Sequence, residues 1–427
     1  MKVVYIDSWT RGIHNFLTFD ALLKAKGAET LLLHFTSWQN KNFTETRIIE
    51  NIQCVDVSYF KTIFLEKILQ ELKPDVVVSL NTTHFFDRIL RLTCGKLNIK
   101  TVFLMHGDHF VHASEIKKLH KETSKTKRFK KNLLGLKNKF LKYSTKLIPN
   151  YLRSLFNTQN KRLFLGNWLR VLYVYWRNYE QACFNPPQTD ELIQDLCLIF
   201  SERYKNYYHE LGYPLTKIKI VGNPSHVHLL RQIENNNFSI ETFPELLKTW
   251  IQNKQSYALY LDDAFVEQNS FPWLNTEYRN KFFNALADAV EKQNINLVIK
   301  LHPATDPKTI KICRSSVCVL SDAALNDLIY YADFCLGFIS TTLNSVVLLK
   351  KPLLIPVWEK YNVFQENNKF LREEVAKTWN ILEKIPVLAD IHSEKLKKYI
   401  AKNITVTKPT AIESISKEIL NLFMNSQ

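Results

Sequence analysis

No apolar run in this 427-residue chain approaches the roughly 18–20 residues needed to cross a bilayer. The longest contender, SVVLLKKPLLIPVW (345–358), is interrupted by two lysines and a proline. The opening MKVVYIDSWTRG reads as a short strand and a charged turn, without the apolar core of a secretory signal. A cytoplasmic protein, at most peripheral on the inner face of the membrane, is therefore expected. The seven cysteines (Cys54, Cys94, Cys183, Cys197, Cys313, Cys318, Cys335) are odd in number and scattered. They form no CxxC pair and no Cys/His cluster at zinc spacing, which excludes a structural zinc or a disulfide framework. They read as reduced, mostly buried thiols. Internal repeats and low-complexity tracts are also missing. Acids are in deficit: 57 Lys and Arg face 41 Asp and Glu, for a net charge of +16. Such an excess attracts nucleic acid, an acidic membrane surface or phosphorylated substrates. No helix-turn-helix, RRM or similar signature accompanies it, which argues against nucleic acid.

What is present is ordinary globular material, 46% apolar and 23% charged, long enough for two or three domains. Residues 1–110 alternate strand and helix: KVVYID (2–7), a helix over 13–27, ETLLLHF (29–35), a helix carrying Phe64, Ile68, Leu69 and Leu72, KPDVVVSL (73–80), and KTVFLMHGD (100–108). Buried β-branched strands separated by helices predict a parallel, doubly wound sheet. From 113 to 180 the pattern changes, with some seventeen Lys and Arg against three acids. These cations are interleaved with Leu, Phe, Tyr and Trp at roughly helical spacing, as in KRFKKNLLGLKNKFLKY and LGNWLRVLYVYWRNY. A basic helical insertion is expected there, with the character of an interfacial amphipathic surface for an anionic membrane. A solvated helical face is the plainer alternative.

The strand–helix alternation resumes at 195–224 and again, as a second set, from SYALYL (256–261) through INLVIKLHP (295–303), CVLS (318–321), DFCLGFIS (333–340) and KPLLIPV (351–357). The expected architecture is α/β. An N-terminal Rossmann-like domain spans 1–225, a linker 226–254 and a second Rossmann-like domain 255–408. A C-terminal helix, 409–427, packs back on the first domain, and a cleft lies between the two. Ligands of open α/β sheets sit at the carboxyl ends of strands, which singles out 262–263, 302–303 and 340–342.

Three stretches there carry candidate chemistry. In ALYLDDAF, Asp262 and Asp263 follow a strand. They could cap a turn, hold a metal or serve as a base, although adjacent strand residues point to opposite faces and so chelate one ion poorly. In IKLHPATD, His302 stands at a strand end, Pro303 fixes the backbone beyond it, and Lys300 offers a second charge. In GFISTTLNS, Ser340, Thr341 and Thr342 open a helix, as ordinary caps or as an anion site.

In this order the stretches resemble the D/E-D/E-G, HP and S-S/T motifs of bacterial sialyltransferases and polysialyltransferases. The match covers about 85 residues of the C-terminal half by motif and the remainder by architecture. The resemblance implies the GT-B fold of two facing Rossmann-like domains, and a CMP-activated donor: a nonulosonic acid or Kdo. It makes Asp262 the general base with Asp263 as its support, has His302 donate to the donor phosphate, and places Ser340 and Thr341 on that phosphate. No cofactor or metal is implied. Alanine stands at 264 where the family has glycine, which would carry strain if the turn needed a positive φ. Position 344, where retaining GT-B enzymes with UDP- or ADP-sugars often carry a ribose-binding glutamate, is Asn344, and this disfavours that class.

The acceptor, a glycan or lipid-linked glycan for capsule, O-antigen or lipooligosaccharide, is expected on the N-terminal domain. Arg11, His14 and Asn15 after the first strand, and His106 and Asp108 after a later one, are the candidate contacts, with His84 near them. Alternatives with the same fold are a UDP-sugar or CDP-glycerol donor, or a non-catalytic subunit of a polysaccharide assembly complex. An epimerase of related fold needs an acid-rich site that the sequence does not display.

Overall fold

The computed structural model describes residues 1–7, 12–39, 43–82, 85–107, 141–155, 193–210, 212–267, 270–366, 368–388, 393–404 and 410–424. The chain divides into two compact units, the first built up to Ser225 with the C-terminal helix added, the second from His226 to Ile404.

The first unit holds strands β1 (Lys2–Asp7), β2 (Glu29–His34), β3 (Thr46–Ile49), β4 (Ile52–Asp56), β5 (Val76–Ser79), β6 (Lys100–Leu104), β7 (Leu196–Ile199) and β8 (Ile218–Ile220). They form one sheet in the order β3-β4-β2-β1-β5-β6-β7-β8, parallel throughout except at the β3–β4 hairpin. Val3, Val4 and Tyr5 in the central strand are fully buried, as expected where helices cover both faces. Its described helices are α1 (Ile13–Ala25), α2 (Leu65–Leu72), α3 (Phe85–Lys96), α4 (Leu141–Leu155) and α5 (Lys205–Glu210). Helix α1 ends in a Schellman arrangement, Ala28 N–H donating to the Leu23 carbonyl while Gly27 takes φ +81°.

Helix α4 is the described part of the basic insertion. Its Leu147 and Tyr151 join the core, and Asn150 accepts from the Leu65 amide at 2.7 Å while donating to the Ile63 carbonyl. Arg153 and Lys96 both pair with Glu66 of α2, at 2.7 and 2.6 Å. Two apolar side chains of α4, Leu147 and Tyr151, are thus taken up by the core of the first unit. Residues 113–140 and 156–180 lie outside the described residues. No described helix is long and apolar enough to cross a membrane.

The second unit starts with α6 (Pro224–Glu234) and α7 (Glu245–Gln252). The 226–254 stretch is not a spacer: Leu229, Phe243, Leu247 and Trp250 belong to the unit's core. Strands β9 (Tyr257–Leu261), β10 (Asn296–Lys300), β11 (Val317–Leu320), β12 (Phe334–Leu336), β13 (Leu353–Val357) and β14 (Lys377–Asn380) form a parallel sheet ordered β11-β10-β9-β12-β13-β14. This is the 3-2-1-4-5-6 order of dinucleotide-type sheets, and it reverses direction at β9. Helices α8 (Thr276–Glu291), α9 (Leu325–Tyr331), α10 (Leu343–Leu348), α11 (Lys369–Arg372) and α12 (Ser393–Asn403) complete the unit. The last helix, α13 (Ala411–Met424), returns to the first unit, burying Ile415 and Ile419 and donating from the Ser416 hydroxyl to the Phe19 carbonyl of α1.

The two units are doubly wound α/β sheets, the fold class expected from the strand pattern. Replacing Asn150 by Ala removes one buried side chain that satisfies backbone groups of the 63–65 turn. A loss of about 1–3 kcal/mol in urea unfolding is expected; an unchanged midpoint would show that α4 is not held by this link.

Candidate functional site

The carboxyl end of β9 lies where the sheet order reverses, with β10 on one side and β12 on the other. Each neighbouring strand ends in a loop, and the two aspartates divide between them. The amide of Asp262 donates to the Lys300 carbonyl, continuing the β9–β10 ladder by one residue. Its carboxylate Oδ2 accepts from the His302 amide at 3.3 Å and from the Thr305 hydroxyl at 2.8 Å. Asp263 turns to the other loop, where the nearby amides of Phe338 and Ile339 favour its charged form. Its Oδ2 is enclosed and has no hydrogen-bond partner.

Burial sets the electrostatics. Desolvation pushes the Asp262 carboxyl up to about 6, against the bonds from Thr305 and His302 that favour the charged form. Desolvation and then the adjacent Asp262 charge push Asp263 up to about 7. The residue expected to face outward is thus pinned by two donors, and the residue expected to prop it carries the unpartnered oxygen.

The turn that follows needs no glycine. Phe265 N–H donates to the Asp263 carbonyl two residues back, a γ-turn centred on Ala264. Ala264 is buried and has no positive φ, so alanine in place of glycine adds no strain.

The β10 loop is a β-turn over His302–Thr305, closed by Thr305 N–H donating to the His302 carbonyl at 2.8 Å, with Pro303 at its second position. His302 Nδ1 accepts from the Ala304 amide at 3.0 Å. That bond requires an unprotonated Nδ1, so the proton of neutral His302 sits on Nε2 as a donor. Desolvation lowers the imidazole's proton affinity, which holds it neutral. Lys300 does not present a free ammonium here: it donates to the carbonyls of Leu301 and Ser321 at 3.0 and 2.8 Å.

The β12 loop runs over a floor of rings, Phe338 lying 4.6 Å from Phe364 and 5.1 Å from Tyr361. A Cβ at Gly337 would stand 2.8 Å from a Leu343 methyl, so that side chain packs closely over the glycine. Much of the expected anion site is used within the turn itself. The Ser340 hydroxyl accepts from the Thr342 hydroxyl and amide, and the amides of Leu343, Asn344 and Ser345 donate to carbonyls three residues back. Helix α10 has only six residues and so little dipole. Among the described residues the Thr341 hydroxyl makes no hydrogen bond, leaving it and the Ser340 and Thr341 amides as donors. Asn344 is buried, accepting from the Tyr399 hydroxyl at 2.7 Å and from Lys369 at 3.3 Å. It ties α10 to α11 and α12, so its identity carries no information about a ribose.

Asp262, Asp263, His302, Pro303 and the 340–342 turn therefore meet at one edge of the second unit. The remaining candidates belong to the first unit. His14 is exposed in the first turn of α1, and Asn15 donates to the Gly12 carbonyl. His106, partly buried after β6, is engaged with a neighbour. Arg11, His84 and Asp108 lie outside the described residues. Three site members were not legible: Thr305, Glu267 and buried Arg279, which pairs with Glu267 at 2.6 Å. Thr305 stands within IKLHPATD and was signalled only by its place in the turn.

No protein-family model matches the chain, and neither does any curated protein. Solved structures do. The UDP-GlcNAc 2-epimerase of Methanocaldococcus jannaschii, in complex with UDP-GlcNAc and UDP, aligns over 99% of this chain and 100% of its own, at 13% identity and a TM-score of 0.50. The UDP-GlcNAc 2-epimerase of Neisseria meningitidis aligns over 100% of both chains at 13% identity and a TM-score of 0.48. A kitacinnamycin glycosyltransferase aligns over 98% of both at 10% identity and a TM-score of 0.49. At 13% identity the likeness to the first of these concerns the fold: the GT-B arrangement of two doubly wound units.

Folded Asp262 and Asp263 bind protons more tightly than in the unfolded chain, where an Asp titrates near about 3.9. Their contribution to stability is fully present below about pH 4 and is lost as pH rises through 6 to 7. Asp263→Asn keeps the size and shape of the side chain but removes the charge. It should stabilise the protein by about 1–3 kcal/mol at pH 8 and by nothing at pH 4, read by thermal unfolding at both. Equal effects at both pH values would contradict a raised proton affinity.

Proposed function

We propose that this chain is an inverting glycosyltransferase that moves a sugar from a nucleotide-activated donor to a hydroxyl acceptor. One observation carries the reading: a desolvated carboxyl at the switch point of the second sheet, with a proton affinity near neutrality, next to a neutral imidazole with a free donor. An acceptor hydroxyl must lose its proton as it attacks the anomeric carbon, and a carboxylate titrating near 6 is matched to that step. Direct attack inverts the configuration. The leaving phosphate gathers negative charge, which His302 Nε2–H, the Thr341 hydroxyl and the amides of the 340–341 turn are suited to stabilise.

The donor we assign is a CMP-activated nonulosonic acid or Kdo, on the strength of the DD, HP and ST stretches. It carries a single phosphate, so a few neutral donors suffice and no metal is needed. The acceptor is a glycan or glycolipid of the cell surface, bound through the first unit, where His14, Asn15 and His106 remain candidates alongside Arg11 and Asp108. A UDP-sugar donor is the second reading. It is favoured by the fold likeness to a structure holding UDP-GlcNAc and UDP, and Asn344 no longer counts against it.

Thermal shift with CMP, CDP and UDP separates the two readings. Stabilisation by CMP above the others is expected, and stabilisation by UDP alone would overturn the CMP assignment. With the donor identified, Asp262→Ala should lower transfer by about 10²–10⁴-fold in a protein that still folds. The wild-type rate should rise with pH to a plateau above about 7. Full activity in Asp262→Ala would remove Asp262 from the chemistry.

A further inference from the structure

The Thr305 hydroxyl sits between two carboxylates. It lies 2.8 Å from Asp262 Oδ2 and 3.4 Å from Glu267 Oε2, and it has one proton to give. Glu267 is fixed from behind by Arg279, whose guanidinium pairs with Oε1 at 2.6 Å and also donates to the Thr309 hydroxyl at 2.6 Å. Thr305, Asp262 and Arg279 are 4%, 6% and 2% exposed, which shields the Thr305–Asp262 bond from bulk water, while Glu267 is partly exposed. Such a hydroxyl has two settings, and the charge on Asp262 selects between them. When Asp262 is ionised, the nearer carboxylate is the better acceptor. When Asp262 is protonated on Oδ1, Oδ2 becomes a carbonyl-type oxygen and the ionised Glu267 is the stronger acceptor.

We infer that Thr305 is a positioning residue whose hydroxyl swings from Asp262 to Glu267 as Asp262 takes up the acceptor proton, with Arg279 holding Glu267 in place. The inference rests on the transferase reading. In the step, the acceptor O–H bond breaks and its proton goes to Asp262 Oδ1. The acceptor oxygen bonds to the anomeric carbon, and the bond from that carbon to the phosphate oxygen breaks with its electron pair on the phosphate. Asp262 is then a neutral acid, and the hydroxyl turns without gaining or losing a proton. The Thr305 hydroxyl proton thus has a carboxylate or carbonyl-type acceptor in either state. Other groups share the field at Asp262: Asp263 beside it, Lys300 and the His302 imidazole on the β10 side, and the phenols of Tyr260 and Tyr361 below.

The test reads the Asp262 titration directly, by carbon NMR of the Asp carboxyls in the full chain, assigned with Asp262→Asn. Thr305→Val removes a donor to the ionised form and should raise the midpoint by about one pH unit. Thr305→Ser keeps the hydroxyl and should leave it in place, whereas Glu267→Gln removes a like charge and should lower it. The transfer-rate profile should shift with pH in the same directions. An unmoved midpoint in folded Thr305→Val, or a rise in Glu267→Gln, overturns the inference. These titrations need no substrate. If they behave as expected while wild type transfers no sugar, the functional reading fails and the hydrogen-bond switch stands.

Discussion

A carboxyl group at the end of a buried parallel strand must find donors or give up its charge. The second unit meets that constraint twice within two residues. Asp262 takes donors from the β10 loop, while Asp263, turned to the β12 loop, keeps an unpartnered oxygen and holds its proton more tightly. The turn over His302–Thr305 is arranged by Asp262, and that turn in turn fixes the His302 tautomer. The 338–339 amides lie near Asp263, just ahead of the 340–342 turn.

Neither carboxyl is fully compensated for its burial. Burial removes more stability from the ionised carboxyls than their donors return, so both hold protons more tightly than usual. A structural cap on a strand end would be fully paired and strongly acidic, as Asp56 is in the first unit. There, bonds from His34, Ser37 and Ser58 outweigh burial and bring the carboxyl down to about 2. Two buried strand-end aspartates in one chain thus have opposite shifts in proton affinity.

Much of this arrangement is legible in the sequence because parallel strands announce themselves. YALYL, NLVIK and FCL are short apolar runs, and the residues after them fall at the carboxyl lip wherever the exact ends lie. The roles at the lip are less legible. The division of labour between Asp262 and Asp263 depends on which way each leaves the strand, and no propensity encodes that. Glu267 and Arg279 are distant in sequence from the residues they serve, and each alone reads as a surface charge. Edge strands β3 and β14, TRII and KTWN, have too few buried positions to signal themselves. The basic helix α4 shows a further limit: its Arg153 pairs with Glu66 while Leu147 and Tyr151 enter the core. Amphipathic spacing reports that a helix has an apolar face but not what covers it.

The central claim is that the three loops after β9, β10 and β12 form one nucleotide-phosphate site around a buried base. A crystal structure of the chain soaked with CMP, and in parallel with UDP, tests it most directly. The account predicts a nucleotide whose phosphate lies within hydrogen-bond distance of His302 Nε2 and of the Ser340–Thr341 turn, with the Asp262 carboxyl facing the sugar side. A nucleotide bound elsewhere in the chain, with these three loops empty, would contradict it.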